Sequence, residues 1–177
     1  MLYRQIGAVR NHRSCSQENL TTIRIYVTYL FRPGLRNSGK ARNLRDEEKT
    51  MTDLEHNKRA VVAFFTRAFN DHEPDDAVAK YVGSQYIQHN PDTPDGPAAF
   101  AESTKKLIAK CPEVSVEIKR VIAEGNLVVT HDLVRLAPGD RGLAGIDIFR
   151  LEDGRIVEHW DARQPVPEKM ANGNTMF

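Results

Sequence analysis

The stretch Gly145-Ile146-Asp147-Ile148-Phe149-Arg150-Leu151-Glu152-Asp153-Gly154-Arg155-Ile156-Val157-Glu158-His159-Trp160-Asp161 decides how this chain folds. Two β-prone runs flank Asp153-Gly154, a dipeptide that closes hairpins because both positions tolerate the left-handed backbone. Strands are therefore expected over residues 143–151 and 155–162. The register is open. A two-residue turn at Asp153-Gly154 pairs Asp147 with Trp160; a three-residue turn, Glu152-Asp153-Gly154, pairs Asp147 with His159. One residue of slip moves every side chain to the other face. The second register is preferred, because it gathers Asp147, Phe149, Leu151, Val157, His159 and Asp161 on one face. Ile146, Ile148, Ile156 and Trp160 then form the other.

Upstream of this hairpin the same pattern continues. Val114, Val116 and Ile118 alternate, Glu124-Gly125-Asn126 turns, residues 127–136 are β-rich, and Pro138-Gly139-Asp140-Arg141-Gly142 turns again. Four hairpin-joined strands make an antiparallel sheet. Before them the period is helical: Val61, Phe64, Phe65, Ala68 and Phe69 recur on one face of a helix that a capping box, Thr52-Asp53-Leu54-Glu55, is expected to start. Pro74 opens a short second helix, residues 84–89 read as a short strand, and a third helix is expected over residues 97–110. Helices first and strands later is an α+β arrangement, with three N-terminal helices packed on a curved antiparallel sheet.

A 40 % hydrophobic and 28 % charged composition is that of an ordinary globular protein. No apolar run is long enough to span a bilayer. Charge is uneven: residues 1–50 hold 10 Lys/Arg against 4 Asp/Glu, and the rest 15 against 20, net +6 and −5. The first fifty residues lack a sustained period and read as a basic, disordered extension. Glu47-Glu48-Lys49 just before Met51 suits a purine-rich codon run ahead of a start codon, so a mis-assigned start, with the true start near Met51, is expected. The folded domain is then 51–177. Its acidic balance argues against a nucleic-acid partner. Cys15 and Cys111 fall in unlike regions, which argues against a disulfide framework and for a reducing, cytoplasmic location.

The polar residues inside strands carry the functional signal, since a strand facing helices presents apolar side chains unless it lines a pocket. Tyr86, His89, His131, Asp147, His159 and Asp161 stand out, and Asp147, amid Ile146, Ile148 and Phe149, most of all. A carboxyl buried there has a raised pKa and can exchange a proton near neutral pH. His89, His131 and His159 would suit a three-histidine zinc site, but no compact pair of the His-x-x-x-His kind is present and no metal is expected. Phosphate-binding glycine loops and a Gly-x-Ser-x-Gly elbow are absent from the sequence, so no cofactor is expected either.

Tyr86-Ile87-Gln88-His89-Asn90-Pro91 together with residues 145–161 resembles the SnoaL-like polyketide cyclase group of the nuclear transport factor 2-like superfamily. The resemblance covers about residues 51–164. It implies a cone-shaped fold enclosing a pocket between helices and sheet, and a homodimer through the outer sheet face. It also implies that Asp147 is the acid/base of an aldol-type closure. Asp147 is similar, too, to the protonated aspartate of ketosteroid isomerase, and Asp161 to a catalytic aspartate of limonene epoxide hydrolases. Asn90, standing where the isomerases carry their base, speaks against a simple isomerase. The expectation is a cofactor-independent enzyme acting on a small apolar or carbonyl-containing molecule. Asp147 and His131 are its catalytic residues; His89, His159, Asp161, Tyr86, Asn90 and Trp160 bind substrate. The alternative is a non-catalytic ligand-binding or dimeric interaction module of the same fold.

Overall fold

The computed structural model describes residues 44–177; most of the basic extension expected over residues 1–50 lies outside the described residues. The element order is α1 (Leu44–Phe65), a π-helical turn (Thr66–Asn70), α2 (Pro74–Tyr81), β1 (Val82–Gln88), α3 (Pro97–Lys110), β2 (Ser115–Glu124), β3 (Leu127–Arg135), β4 (Leu143–Glu152) and β5 (Arg155–Pro165). Helix α1 does not start at the Thr52 capping box. Residues 44–51 contain neither Gly nor Pro and are rich in good helix formers, so the backbone continues through the box.

The stripe on α1 behaves as its spacing requires. Val61, Phe64, Phe65 and Ala68 are buried against Val128, Phe149, Leu151 and Ile156 of the sheet and Phe100 of α3. Phe64 lies 4.9 Å from Phe100 and 6.2 Å from Phe149 between ring centroids. Burying such a ring contributes about 2 kcal/mol or more, so this contact holds the helices to the sheet. Past the π-helical turn, Asn70 clamps β2 with both ends of its amide, accepting from Val116 N (2.8 Å) and donating to Val116 O (3.0 Å).

The sheet order is β1-β5-β4-β3-β2. Strands β2 to β5 are antiparallel neighbours as expected, while β1 joins β5 in parallel, which makes the sheet mixed. It stays open, with β1 and β2 as its edges. Three helices on this sheet give the expected α+β architecture.

The decisive hairpin adopts neither expected register. Asp153 (φ 50°) and Gly154 (φ 74°) form a two-residue turn, so Glu152 pairs with Arg155 and Leu151 with Ile156. A bulge at Val157 then adds one residue to β5, and beyond it Phe149 pairs with His159 and Asp147 with Asp161. The bulge restores the parity of the preferred register, so Asp147, Phe149, His159 and Asp161 share the helix-facing side. Ile156, expected outside, belongs to the inner core instead.

Cys111 is buried, and Cys15, the other cysteine of the sequence, lies outside the described residues. Among the described residues no helix is long and apolar enough to cross a membrane.

Candidate functional site

Alternation along three neighbouring strands builds a polar cluster into the inner face of the sheet. On β3 the inward positions are Val128, Thr130 and Asp132; on β4, Gly145, Asp147 and Phe149; on β5, His159, Asp161 and Arg163. Thr130, Asp132 and Asp147 are fully buried. Asp147 faces Thr130 on one side and Asp161 on the other, and Asp132 faces Gly145. A Cβ at Gly145 would come within 2.6 Å of Asp132 Oδ2 and 3.0 Å of Arg163 Nη1. Glycine there lets a carboxyl and a guanidinium meet over the strand.

Arg163 is the hub. Its Nη2 donates to Asp147 Oδ1 (2.9 Å), its Nε to Asp161 Oδ2 (3.1 Å) and its Nη1 to Asp132 Oδ2 (3.4 Å). His159 Nε2 is 2.9 Å from Asp147 Oδ1 and its Nδ1 is 3.0 Å from Gln88 Oε1. Asn90 Nδ2 donates to both oxygens of Asp161, at 2.9 and 3.0 Å. Two buried atoms, Asp147 Oδ2 and the Tyr86 hydroxyl, have no hydrogen-bond partner. Buried polar atoms are nearly always satisfied, so these two, Asp147 Oδ2 in a carboxylate beside Asp132 and the Tyr86 hydroxyl beside Gln88, are the open polar positions of the cluster.

The proton affinities of the two carboxyls on neighbouring strands are pushed in opposite directions. Burial, and then the charge of Asp147, push Asp132 up to about 8. Burial pushes Asp147 the same way, but the Arg163 guanidinium and the His159 hydrogen bond outweigh it and hold Asp147 below the usual carboxylate range. The expected raised pKa thus belongs to Asp132 and not to Asp147. Burial works against the Arg163 charge, yet the surrounding aspartates, Asp147 foremost, raise its pKa on balance. Burial, followed by the charges of Asp147 and Asp161, raises that of Tyr86, which remains a donor at any physiological pH. Groups whose proton affinities are driven apart in this way are chemically able to act as an acid and a base.

Of the residues singled out in the sequence, Asp147, His159, Asp161, Asn90 and Tyr86 come together here. His131 does not. It sits on the opposite face of β3, where Arg120 Nη1 donates to its Nδ1 (2.8 Å) and Phe177 stacks on its ring (5.5 Å). His89 and Trp160 are also on the outer side, stacked face to face at 4.6 Å, with His89 Nε2 2.9 Å from Glu158. No three-histidine site forms. Asp147, His159 and Asp161 bring donor atoms within 4.8 Å of one another, a spacing a metal could use, but Arg163 already supplies a cation to the same carboxylates.

Five residues of the cluster lay outside the candidates: Thr130, Asp132, Arg163, Gln88 and Gly145. Arg163 was legible, since it follows Asp161 by two and shares its face once β5 runs on to Pro165. Asp132 and His131 alternate on β3, and the register with β4 turns Asp132 inward.

Residues 61–159, more than half of the chain, match the model of the SnoaL-like domain. The chain belongs to the SnoaL-like domain family. Solved structures agree in fold. The chain is similar to a proposed ketosteroid isomerase from Kribbella flavida (TM-score 0.56, 19 % identity, covering 69 % of this chain and 87 % of that one). It is similar also to a proposed polyketide cyclase from Acidithiobacillus ferrooxidans (TM-score 0.53, 22 % identity, 61 % and 87 %). A third is a proposed SnoaL-like polyketide cyclase from Jannaschia sp. (TM-score 0.52, 17 % identity, 71 % and 91 %). At such identities the likeness concerns the fold alone. No curated protein gives a significant match.

Proposed function

We propose that this SnoaL-like domain is a cofactor-independent enzyme that moves a proton at carbon next to a carbonyl group of a small, largely apolar molecule. The observation that supports this most is the fully buried Asp147, held by Arg163 and His159 through one oxygen, beside Asp132, whose pKa burial raises. Asp147 Oδ2 would take the proton from carbon while the electron pair moves onto the carbonyl oxygen. Asp132 would donate a hydrogen bond to that oxygen, and the Arg163 and His159 side chains would balance the negative charge that develops. The resulting enolate attacks a second carbonyl in an aldol-type closure or takes the proton back at another carbon. In the closure Asp147 gives its proton to the alkoxide oxygen that the new carbon–carbon bond leaves, in the isomerisation to the second carbon, and in either case it returns to its charged form. His131, expected as the partner of Asp147, has no part in this scheme; Asp132 replaces it.

Asp147→Asn is expected to lower turnover of an enolisable ketone by about 10²- to 10⁴-fold, the usual span for a general base, with the fold intact. Undiminished turnover in that variant, measured alongside its thermal unfolding, would sink the assignment.

A second reading, a ligand-binding module, has its own support. A groove of about 450 Å³ is lined by Arg59, Val62, Thr66, Arg67, Tyr81 and Val121, none of them from the polar cluster. A ligand whose binding is weakened by Tyr81→Ala and untouched by Asp147→Asn would favour it. Exposed Ile87, Ile122, Leu127 and Ile146 support pairing of two copies through the sheet in either reading.

A further inference from the structure

The side chain of His159 is enclosed more completely than any other histidine described. Phe149 stacks on it at 4.7 Å and 28° and Tyr86 at 6.2 Å and 17°, so its ring lies between two aromatic faces. Phe64 and Phe65 of α1 back Phe149, and Phe100 of α3 backs Tyr86. In the plane of the ring both nitrogens face oxygen: Nε2 the Oδ1 of Asp147 on β4, Nδ1 the Oε1 of Gln88 on β1. A neutral imidazole has one N–H and one lone pair, so it would leave one of these contacts as two acceptors facing each other.

The outcome turns on which end of the Gln88 amide points at His159, and Asn90 fixes it. The backbone N–H of Asn90 donates to the same Gln88 Oε1 at 2.9 Å. A backbone N–H can only donate, so the atom between Asn90 and His159 is the carbonyl oxygen. We infer that His159 stands in this site as the doubly protonated imidazolium, held so by Gln88, and serves as a fixed cation beside Asp147 rather than as a proton carrier.

The groups around the ring agree with that state. Asp147 faces it from β4 and Asp161 and Arg163 flank it on its own strand, while Asp132 and Thr130 lie beyond on β3. With the proton on Asp132, two carboxylates, Asp147 and Asp161, meet two cations, Arg163 and His159, and the buried cluster is neutral. Aromatic faces above and below the ring favour the cation as well. Both cations donate to Oδ1 of Asp147, so any proton that Asp147 accepts must go to Oδ2, the unpartnered oxygen. Gln88 is thus a positioning residue: it acts on Asp147 through His159.

The catalytic consequence rests on the proposed function, but the protonation state does not, and the test separates the two. In the full-length chain labelled with ¹⁵N in its histidines, the ring spectrum of His159 at pH 7 is expected to show hydrogen on both nitrogens. A ring nitrogen without hydrogen would overturn the inference. In Gln88→Leu the Nδ1 hydrogen is expected to be lost, and in Gln88→Glu to be kept; a folded Gln88→Leu protein that retains it would overturn the role given to Gln88. Should Gln88→Leu not fold, the wild-type spectrum still decides. With an enolisable ketone that the wild type turns over, Gln88→Leu is expected to lower kcat more than it changes KM, and Gln88→Glu to restore kcat. Absence of turnover in the wild type would count against the proposed function while leaving the spectrum to judge the imidazolium.

Discussion

The two faces of this sheet carry the same kind of contact to different effect. On the inner face His159 lies 2.9 Å from Asp147, and on the outer face His89 lies 2.9 Å from Glu158, each carboxylate also paired with an arginine. Burial separates them: the inner pair has side-chain exposures of 7 % and 0 %, the outer pair 41 % and 15 %. Water screens the outer charges, so that pair contributes at most about 1 kcal/mol and works mainly to align the stacked rings of His89 and Trp160. Inside, removing either partner leaves a charge without compensation, and proton affinities move accordingly. A histidine, a carboxylate and an arginine thus make a surface brace or a buried charge cluster according to which face of the sheet they occupy.

The contrast can be broken most severely at Arg163. Arg163→Leu leaves Asp147 and Asp161 without their shared cation and is expected to cost about 3–5 kcal/mol in chemical denaturation, against a much smaller loss for Arg150→Leu outside. Equal losses at the two sites would remove the distinction.

A smaller effect follows from Asp132. Its folded pKa, about 8, stands above the ordinary carboxyl value of about 4, so the folded state holds this proton more firmly than the unfolded chain does. The stability it contributes is complete below about pH 4 and is lost as pH rises toward 8. Asp147, whose pKa is lowered, acts in the other direction and costs stability only as pH falls below the ordinary carboxyl range. Asp132→Asn is therefore expected to flatten the decline in thermal stability between about pH 4 and 8. An unchanged slope would mean that Asp132 is ionised in the folded protein.

The smallest effect is expected outside. His131→Ala is expected to change stability by less than about 1 kcal/mol and to leave any turnover at the wild-type level. A large loss of activity would return His131 to the site from which its strand parity removes it.

Much of this was legible because the fold is written in periods. The Phe64–Phe65 stripe and the alternating strands needed no knowledge of distant contacts. Helix α3 runs over the residues expected, Pro97–Lys110, because Pro97 and the residues after Lys110 punctuate it. The hairpin register was harder. Asp153-Gly154 signals a two-residue turn, and the bulge that offsets it at Val157 has no comparable local signature. The inward face of β4 came out right because the three-residue turn and the turn with a bulge share a parity. The exchange of roles between His131 and Asp132 was beyond the sequence, since it depends on the register of β3 with β4, which sets Asp132 opposite Gly145 and His131 opposite Ile146. Asp147 was recognised as special for its apolar neighbours; that Arg163 reverses the effect of burial on it required the structure.

The most direct test is to follow the side-chain carboxyl carbons of Asp132 and Asp147 by ¹³C NMR in the full-length protein as pH is raised from 3 to 10. The expected result is that Asp132 keeps its proton to about pH 8 while Asp147 ionises at lower pH than an ordinary carboxyl. Two carboxyls titrating together in the ordinary range near pH 4 would contradict the acid and base roles given to them.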